Sequence, residues 1–409
     1  MSSPESQTPS PRGPRKRTYD AISRRAFLGG AGSAALVAFL SACRLLPELS
    51  QPPAARLPPT LTPLPTFGPP GTLGPDPTGA PSPSAPGPSP SPSGPTPFPP
   101  GPPSKLGLFV AWHHPQIFNL VRTRNVAVVK TLELDPNFLA EIKRQSPGTL
   151  IVGRLPWEQP DLGAGASTSQ VQRLVEKLLP LALDPRRAGL VDAWEGFNEP
   201  VAANIEQVKK LAELEVERVR LLAERGLRSV VGNFAAGQPP LEYWPYLRPA
   251  LEAALAHRGY LGLHEYSAPV MQFGTGKQQL DRTADEKDEG WLTLRYRKVY
   301  RSYLIPMGLR LPLVITECGI DGGIRGRPGP PGRGWRDFVE YWESQGMGSD
   351  GPGTYVGQLA WYDAELHKDD YVIGAAIFAM TAFQEWVSYQ LLGDAAEVLK
   401  RYLLVHPAR

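Results

Sequence analysis

Cysteine is nearly missing from this chain: Cys43 and Cys318 are the only two in 409 residues, so no disulfide framework is available. A surplus of charge is missing too. Against 43 Lys and Arg stand 40 Asp and Glu, a formal balance of +3, and the arginines are scattered, which excludes the basic stripe expected of a nucleic-acid partner. Histidine is sparse, and the adjacent His113 and His114 have no His, Asp or Glu at ligand spacing beside them, so neither a metal nor another cofactor is expected. What the chain has in quantity is proline, 47 residues, most of it packed into one block. Whole-chain averages therefore blend two different materials, and the part after about residue 106 is long enough for one large domain with its own core.

The front end reads as an address. Ser23-Arg24-Arg25-Ala26-Phe27-Leu28 leads into an uncharged apolar run from Ala26 to Leu40, too short for a comfortable membrane span, and Leu40-Ser41-Ala42-Cys43 follows. The stretch resembles a twin-arginine export signal ending in a bacterial lipobox. That resemblance implies export of a folded protein, acylation of Cys43 and attachment to a membrane through the lipid; an unprocessed amphipathic anchor is the alternative. Residues 1–43 are thus the expected signal. Residues 44–105 are Pro, Ser, Gly and Thr with almost nothing to bury, the composition of a disordered, semi-stiff spacer. In polyproline geometry some sixty residues reach at most roughly 190 Å.

After Lys105 the texture changes to short apolar runs alternating with segments of helical period. Strands are expected over Leu106–Trp112, Val126–Glu133, Thr149–Trp157, Leu190–Glu199, Arg228–Ala235, Tyr260–Tyr266, Pro312–Glu317 and Val372–Ala379. Helices are expected over Pro115–Arg122, Pro136–Gln145, Ser169–Leu181, Asn204–Arg225, Leu241–His257, Trp291–Gly308, Tyr355–His367 and Ala395–Leu404. Strand and helix alternating eightfold over residues 106–409 is the rhythm of an α/β fold of the (β/α)8 TIM-barrel type, here preceded by the Pro-rich linker. The competing open, doubly wound sheet would feed a glycine-rich phosphate turn from its first strand, where this chain has Trp112-His113-His114-Pro115.

In such a barrel the C-terminal strand ends converge on one face. The fourth strand ends in Trp194-Glu195-Gly196-Phe197-Asn198-Glu199-Pro200 and the seventh in Ile315-Thr316-Glu317-Cys318-Gly319. With these two stretches the chain resembles the clan of retaining glycoside hydrolases built on (β/α)8 barrels, cellulase-like and β-xylosidase-like families included. Phe197 stands where relatives often carry Trp. The resemblance implies hydrolysis of O-glycosidic bonds in a carbohydrate substrate, with Glu199 as acid/base and Glu317 as nucleophile. One carboxyl must protonate the leaving oxygen and later deprotonate water while the other attacks the anomeric carbon, about 5 to 5.5 Å away. A barrel that binds glycans without cleaving them is the alternative.

The resemblance extends to helpers. Asn198 is placed against the hydroxyl beside the reacting carbon, and His264 and Tyr266 on one face of the sixth strand against the nucleophile or substrate. Parity turns Glu265 outward as a structural carboxylate, and Glu195 lies deeper along its strand. Arg154 and Lys130 are candidates for holding the nucleophile ionised; relatives often carry an arginine where Lys130 stands, and a structural ion pair is the other reading of that lysine. His113 and Asn233 are candidate sugar contacts, and Trp157 and Trp386 candidate flat platforms for pyranose rings. Residues 322–335, rich in Gly and Arg, form a long excursion expected to make a cationic side of the cleft, and Cys318 is expected to be a buried small side chain. A monomer is expected.

Overall fold

The structure is a computed structural model and describes residues 98–406 apart from 158, 164 and 277–287. The expected signal, Cys43 and nearly all of the linker lie outside the described residues. Eight parallel strands close in sequence order into a barrel: β1 Leu106–Val110, β2 Val128–Thr131, β3 Leu150–Gly153, β4 Ala193–Glu195, β5 Ser229–Phe234, β6 Tyr260–Ser267, β7 Leu313–Ile320 and β8 Val372–Thr381. The (β/α)8 expectation holds in element order throughout.

Alternation along the lower parts of the strands sorts their side chains into two cores. Val129, Ile151, Trp194, Val231, Leu261, Leu263, Leu313 and Ile315 face outward into the layer shared with the helices. Val128, Val152, Ala193, Val230, Tyr260, Val314 and Ala376 fill the lower interior, one from each of β2 to β8. Burial on both sides explains why these strands are continuous apolar runs without polar alternation. Each such Val or Leu removed from water contributes about 1.5–3 kcal/mol.

Helix starts follow local chemistry. Asp135 accepts from the amides of Asn137 and Phe138 ahead of the helix Pro136–Gln145, and Asn204 from Gln207 ahead of Ile205–Ala223. His114 does the same through Nδ1 for Gln116, so this histidine is a helix cap.

Several boundaries differ from expectation for identifiable reasons. Leu190 and Val191 lie in the connection before β4, which is three residues long and ends at Glu195. The expected helix Leu241–His257 divides after Leu247 into a 3-10 stretch, Leu241–Leu247, which contains Pro245, and the helix Arg248–Ala256, which has Pro249 in its first turn, because proline has no amide hydrogen to donate. Trp291–Gly308 is helical only from Arg295, following Leu294 at φ +60°, and widens into a π-helical turn at Tyr300–Leu304. A short helix, Val339–Ser344, was not anticipated.

Candidate active site

Above the apolar base of the barrel, the interior turns polar and charged. Parity puts Lys130 of β2, Arg154 just after β3 and Glu195 of β4 inward, and all three are fully buried. Lys130 Nζ lies 3.0 Å from Glu317 Oε1 and 3.1 Å from Glu195 Oε2. The Arg154 guanidinium is 3.9 Å from each of the same two carboxylates, and none of its nitrogens makes a directed hydrogen bond among the described residues.

Glu317 reaches this interior through an irregularity in β7. Val314 is inward and Cys318 outward, yet Thr316 and Glu317 both point inside. The register shows why: Leu263 pairs with Ile315 while its neighbour His264 pairs with Glu317, so β7 holds one residue more than β6 at this point. A bulge of this kind re-aims a side chain. Strand β5 has its counterpart, Gly232 pairing with Gly262 and Phe234 with Leu263, which leaves Asn233 as the extra residue at φ +48°. Asn233 Oδ1 accepts from Thr316 Oγ1 at 3.1 Å, joining the two bulges. Gly262 is needed opposite, since a Cβ there would stand 2.1 Å from that oxygen.

The backbone carbonyl of Asn233 accepts from the amide of Glu199 at 2.9 Å. Glu199 has φ +46°, a conformation that non-glycine residues adopt at a cost and that accumulates at functional sites. Its carboxyl is 2.9 Å from His264 Nδ1, and the same nitrogen is 3.5 Å from Glu317 Oε2. Tyr266 donates its hydroxyl to Glu317 Oε2 at 2.7 Å. A carboxylate oxygen of Glu199 and one of Glu317 lie within 4.8 Å of each other. Both residues are almost fully enclosed, Glu199 at 4% and Glu317 at 1% exposure.

Two carboxylates and an imidazole at this spacing match the donor set of a metal ion as well. The two buried cations directly beneath Glu317 oppose a cation there, and they favour instead an ionised carboxylate.

The sequence-derived candidates separate on this geometry. Glu199, Glu317, His264, Tyr266 and Arg154 come together. Asn198 adjoins them through the chain; its Oδ1 is buried without a hydrogen-bond partner among the described residues, while its carbonyl accepts from Gln159. Asn233 is fully buried and engaged by Thr316, so it supports Glu199 and β7 from within the wall. His113 is exposed and packs against Phe118 and Phe138 of the surrounding helices. Trp157 is half-buried against the main core. Trp386 packs edgewise on Phe378 and Tyr389, and the Arg333 guanidinium lies 4.2 Å over its ring. The anticipated cationic excursion is thus partly folded on itself: Arg333 covers Trp386, and Arg327 donates to the carbonyls of Gly322 and Pro328.

Glu265 does face outward. Its carboxylate accepts from the amides of Leu294 and Tyr296 and from the Tyr362 hydroxyl, and complete burial pushes its pKa up to about 7 against the pull of those donors. The neighbouring Cys318 thiol is pushed up by burial and by the negative charges of Glu265 and Glu317, the opposite of what a reactive thiol needs. Sequence reasoning missed the aromatic wall of Phe109, Phe378 and Tyr389 beside Tyr266. Alternation from Leu106 and Ala376 was the available signal for the first two.

No known protein family matches the chain by sequence, and no curated protein matches it. Among solved structures it is similar to a GH128 (subgroup II) endo-beta-1,3-glucanase from Pseudomonas viridiflava, at 16% identity and a TM-score of 0.41, covering 75% of this chain and 98% of that one. It is also similar to the beta-glucuronidase of Ruminococcus gnavus, at 15% identity and 0.45, covering 73% and 50% of the two chains. The beta-D-glucuronidase of Dictyoglomus thermophilum follows at 13% and 0.45, covering 75% and 51%. The alignments thus span about half the length of the two glucuronidases. At these identities and scores the likeness is one of distant barrel architecture and carries no argument about chemistry.

Proposed function

We propose that this chain is a glycoside hydrolase that cleaves O-glycosidic bonds of an oligo- or polysaccharide with retention of configuration. The observation that carries the reading is the approach of Glu199 and Glu317 to within 4.8 Å, from the ends of β4 and β7, inside an enclosed barrel mouth. Retention asks for about 5 to 5.5 Å between carboxyl groups, whereas inversion needs about 6.5–9.5 Å to admit a water between them.

Glu317 is the nucleophile. Lys130, Arg154 and Tyr266 all favour its ionised form, and the carboxylate is fixed at both oxygens, Oε2 by the Tyr266 hydroxyl and Oε1 by Lys130. Glu199 is the acid/base. In its acid form it gives its proton to the leaving oxygen as Glu317 bonds to the anomeric carbon, and as the carboxylate it then takes one from the incoming water. His264 Nδ1, within reach of both carboxyls, holds them about one scissile bond, Glu199 toward the leaving oxygen and Glu317 toward the anomeric carbon. The unpartnered Oδ1 of Asn198 is free to accept from a sugar hydroxyl.

Replacing Glu317 by Gln keeps shape and removes the attacking charge. Turnover of aryl β-glycosides is expected to fall by about a thousandfold or more while sugar binding persists. A wild-type chain that binds sugars but cleaves none of a broad panel contradicts the enzymatic reading.

The sequence supports a further proposal on location, that the chain is exported and lipidated at Cys43. Cys43→Ser is expected to move the protein from the membrane fraction to the soluble one, and unchanged fractionation contradicts the anchor.

A further inference from the structure

One buried carboxylate has no task in the scheme above. Glu195 is fully enclosed, and its oxygens receive no directed hydrogen bond among the described residues. What they face is charge: Lys130 Nζ at 3.1 Å and Arg154 Nε at 3.9 Å. The same two cations stand at 3.0 and 3.9 Å from Glu317. Two positive and two negative groups thus share one buried compartment, each cation within 4 Å of the same pair of carboxylates.

We propose that Glu195 is a positioning residue that sets the proton affinity and reactivity of Glu317 by dividing the attraction of Lys130 and Arg154 between two carboxylates. The inference rests on the reading of Glu317 as nucleophile. Without Glu195 both cations act on Glu317 alone, holding its electron pair more tightly and making it a poorer nucleophile. The second consequence concerns the intermediate. When Glu317 bonds to the anomeric carbon, the bond to the leaving oxygen breaks, its electron pair stays on that oxygen, and the Glu199 proton neutralises it. Negative charge has then moved from Glu317 to Glu199, and Glu317 is a neutral ester. Glu195 remains as the carboxylate in direct contact with Lys130, so the buried cations are not stranded while the ester lives.

Charged or titratable groups around Glu317 among the described residues include Lys130 from β2, Arg154 following β3, Glu195 and Glu199 from β4 and its loop, His264 and Tyr266 from β6, and Cys318 beside it on β7. Of these, Glu195 is the one that acts through the cations. A merely structural Glu195 would affect folding but not the titration of its neighbour.

The test is a carbon-13 NMR titration of Glu carboxyls in the full-length chain, with the Glu317 signal assigned by its loss in E317Q. In E195Q the Glu317 midpoint is expected to fall by about one pH unit or more, and in the charge-balanced double variant E195Q/R154M to return toward wild type. The acid limb of kcat/KM should move with it. A folded E195Q whose Glu317 midpoint stays in place overturns the proposal. If E195Q fails to fold, the titration is read in the charge-balanced E195Q/R154M against R154M alone: a lower Glu317 midpoint in the double variant, where Lys130 acts on Glu317 only, supports the proposal, and an equal midpoint overturns it. Failure of the functional reading is separate: it shows as E317Q retaining turnover, whereas the titration reads Glu195 with no substrate present.

Discussion

Glu199 and Glu317 hold their places by different means. Glu199 depends on backbone: a left-handed residue after a short strand, tied by its amide to the carbonyl of Asn233, itself left-handed. Glu317 depends on side chains, with Tyr266 on one oxygen and Lys130 on the other. A hydrogen bond to a charged acceptor is worth about 1.5–3 kcal/mol, so Tyr266→Phe is expected to lower kcat/KM by roughly tenfold to a hundredfold with little change in fold. Steady-state kinetics beside a thermal melt would check it, and an unchanged kcat/KM would show that the hydroxyl is dispensable. The identities of these residues were legible in the sequence because strand-end position and residue type together name them. The partnership of Glu195 with two cations was not, since three strands must first be brought into register.

At the scale of elements, alternation predicted which way β6 presents His264, Glu265 and Tyr266, and it failed on β5 and β7. There Asn233 and Glu317 lie inside only because each strand carries one extra residue, and nothing in a local pattern marks where a bulge falls. The helix after β6 likewise begins where Glu265, a residue distant in sequence, supplies an acceptor for the amides of Leu294 and Tyr296. That carboxyl also titrates in a useful range. Its pKa rises on folding from 4.5 to about 7, so the folded chain holds the proton more tightly than the unfolded one. The resulting stabilisation is fully present below about pH 4.5 and is lost as pH rises through about 7, a contribution on the order of 3 kcal/mol. Urea unfolding between pH 5 and 8 should show this decline in the wild type and a flatter profile in Glu265→Gln. Parallel profiles would contradict it.

For the whole molecule, the barrel separates support from chemistry. The described chain enters at the base, where Phe98 meets Tyr402 edge-on, Gly101 lies against His406, and Lys105 Nζ donates to the carbonyls of Leu366 and Asp369. The carboxylates open on the opposite face, at the C-terminal ends of the strands, so Phe98 and Lys105 lie at the end of the barrel away from the site. This polarity follows from the eightfold alternation and was legible in the sequence. The fate of the arginine-rich loop was not: Arg333 lies on Trp386, a contact between distant segments, and Arg327 bonds back to Gly322 of its own loop.

The central claim is that Glu317 attacks the sugar. A panel of 2-deoxy-2-fluoro β-glycosides with good leaving groups, which form slow-turning glycosyl-enzymes in a retaining site, tests it by peptide mass spectrometry. The account predicts a covalent glycosyl adduct on the peptide carrying Glu317, absent in E317Q. An adduct on Glu265, or hydrolysis of a glycoside with inverted configuration in its first-formed product, would contradict it.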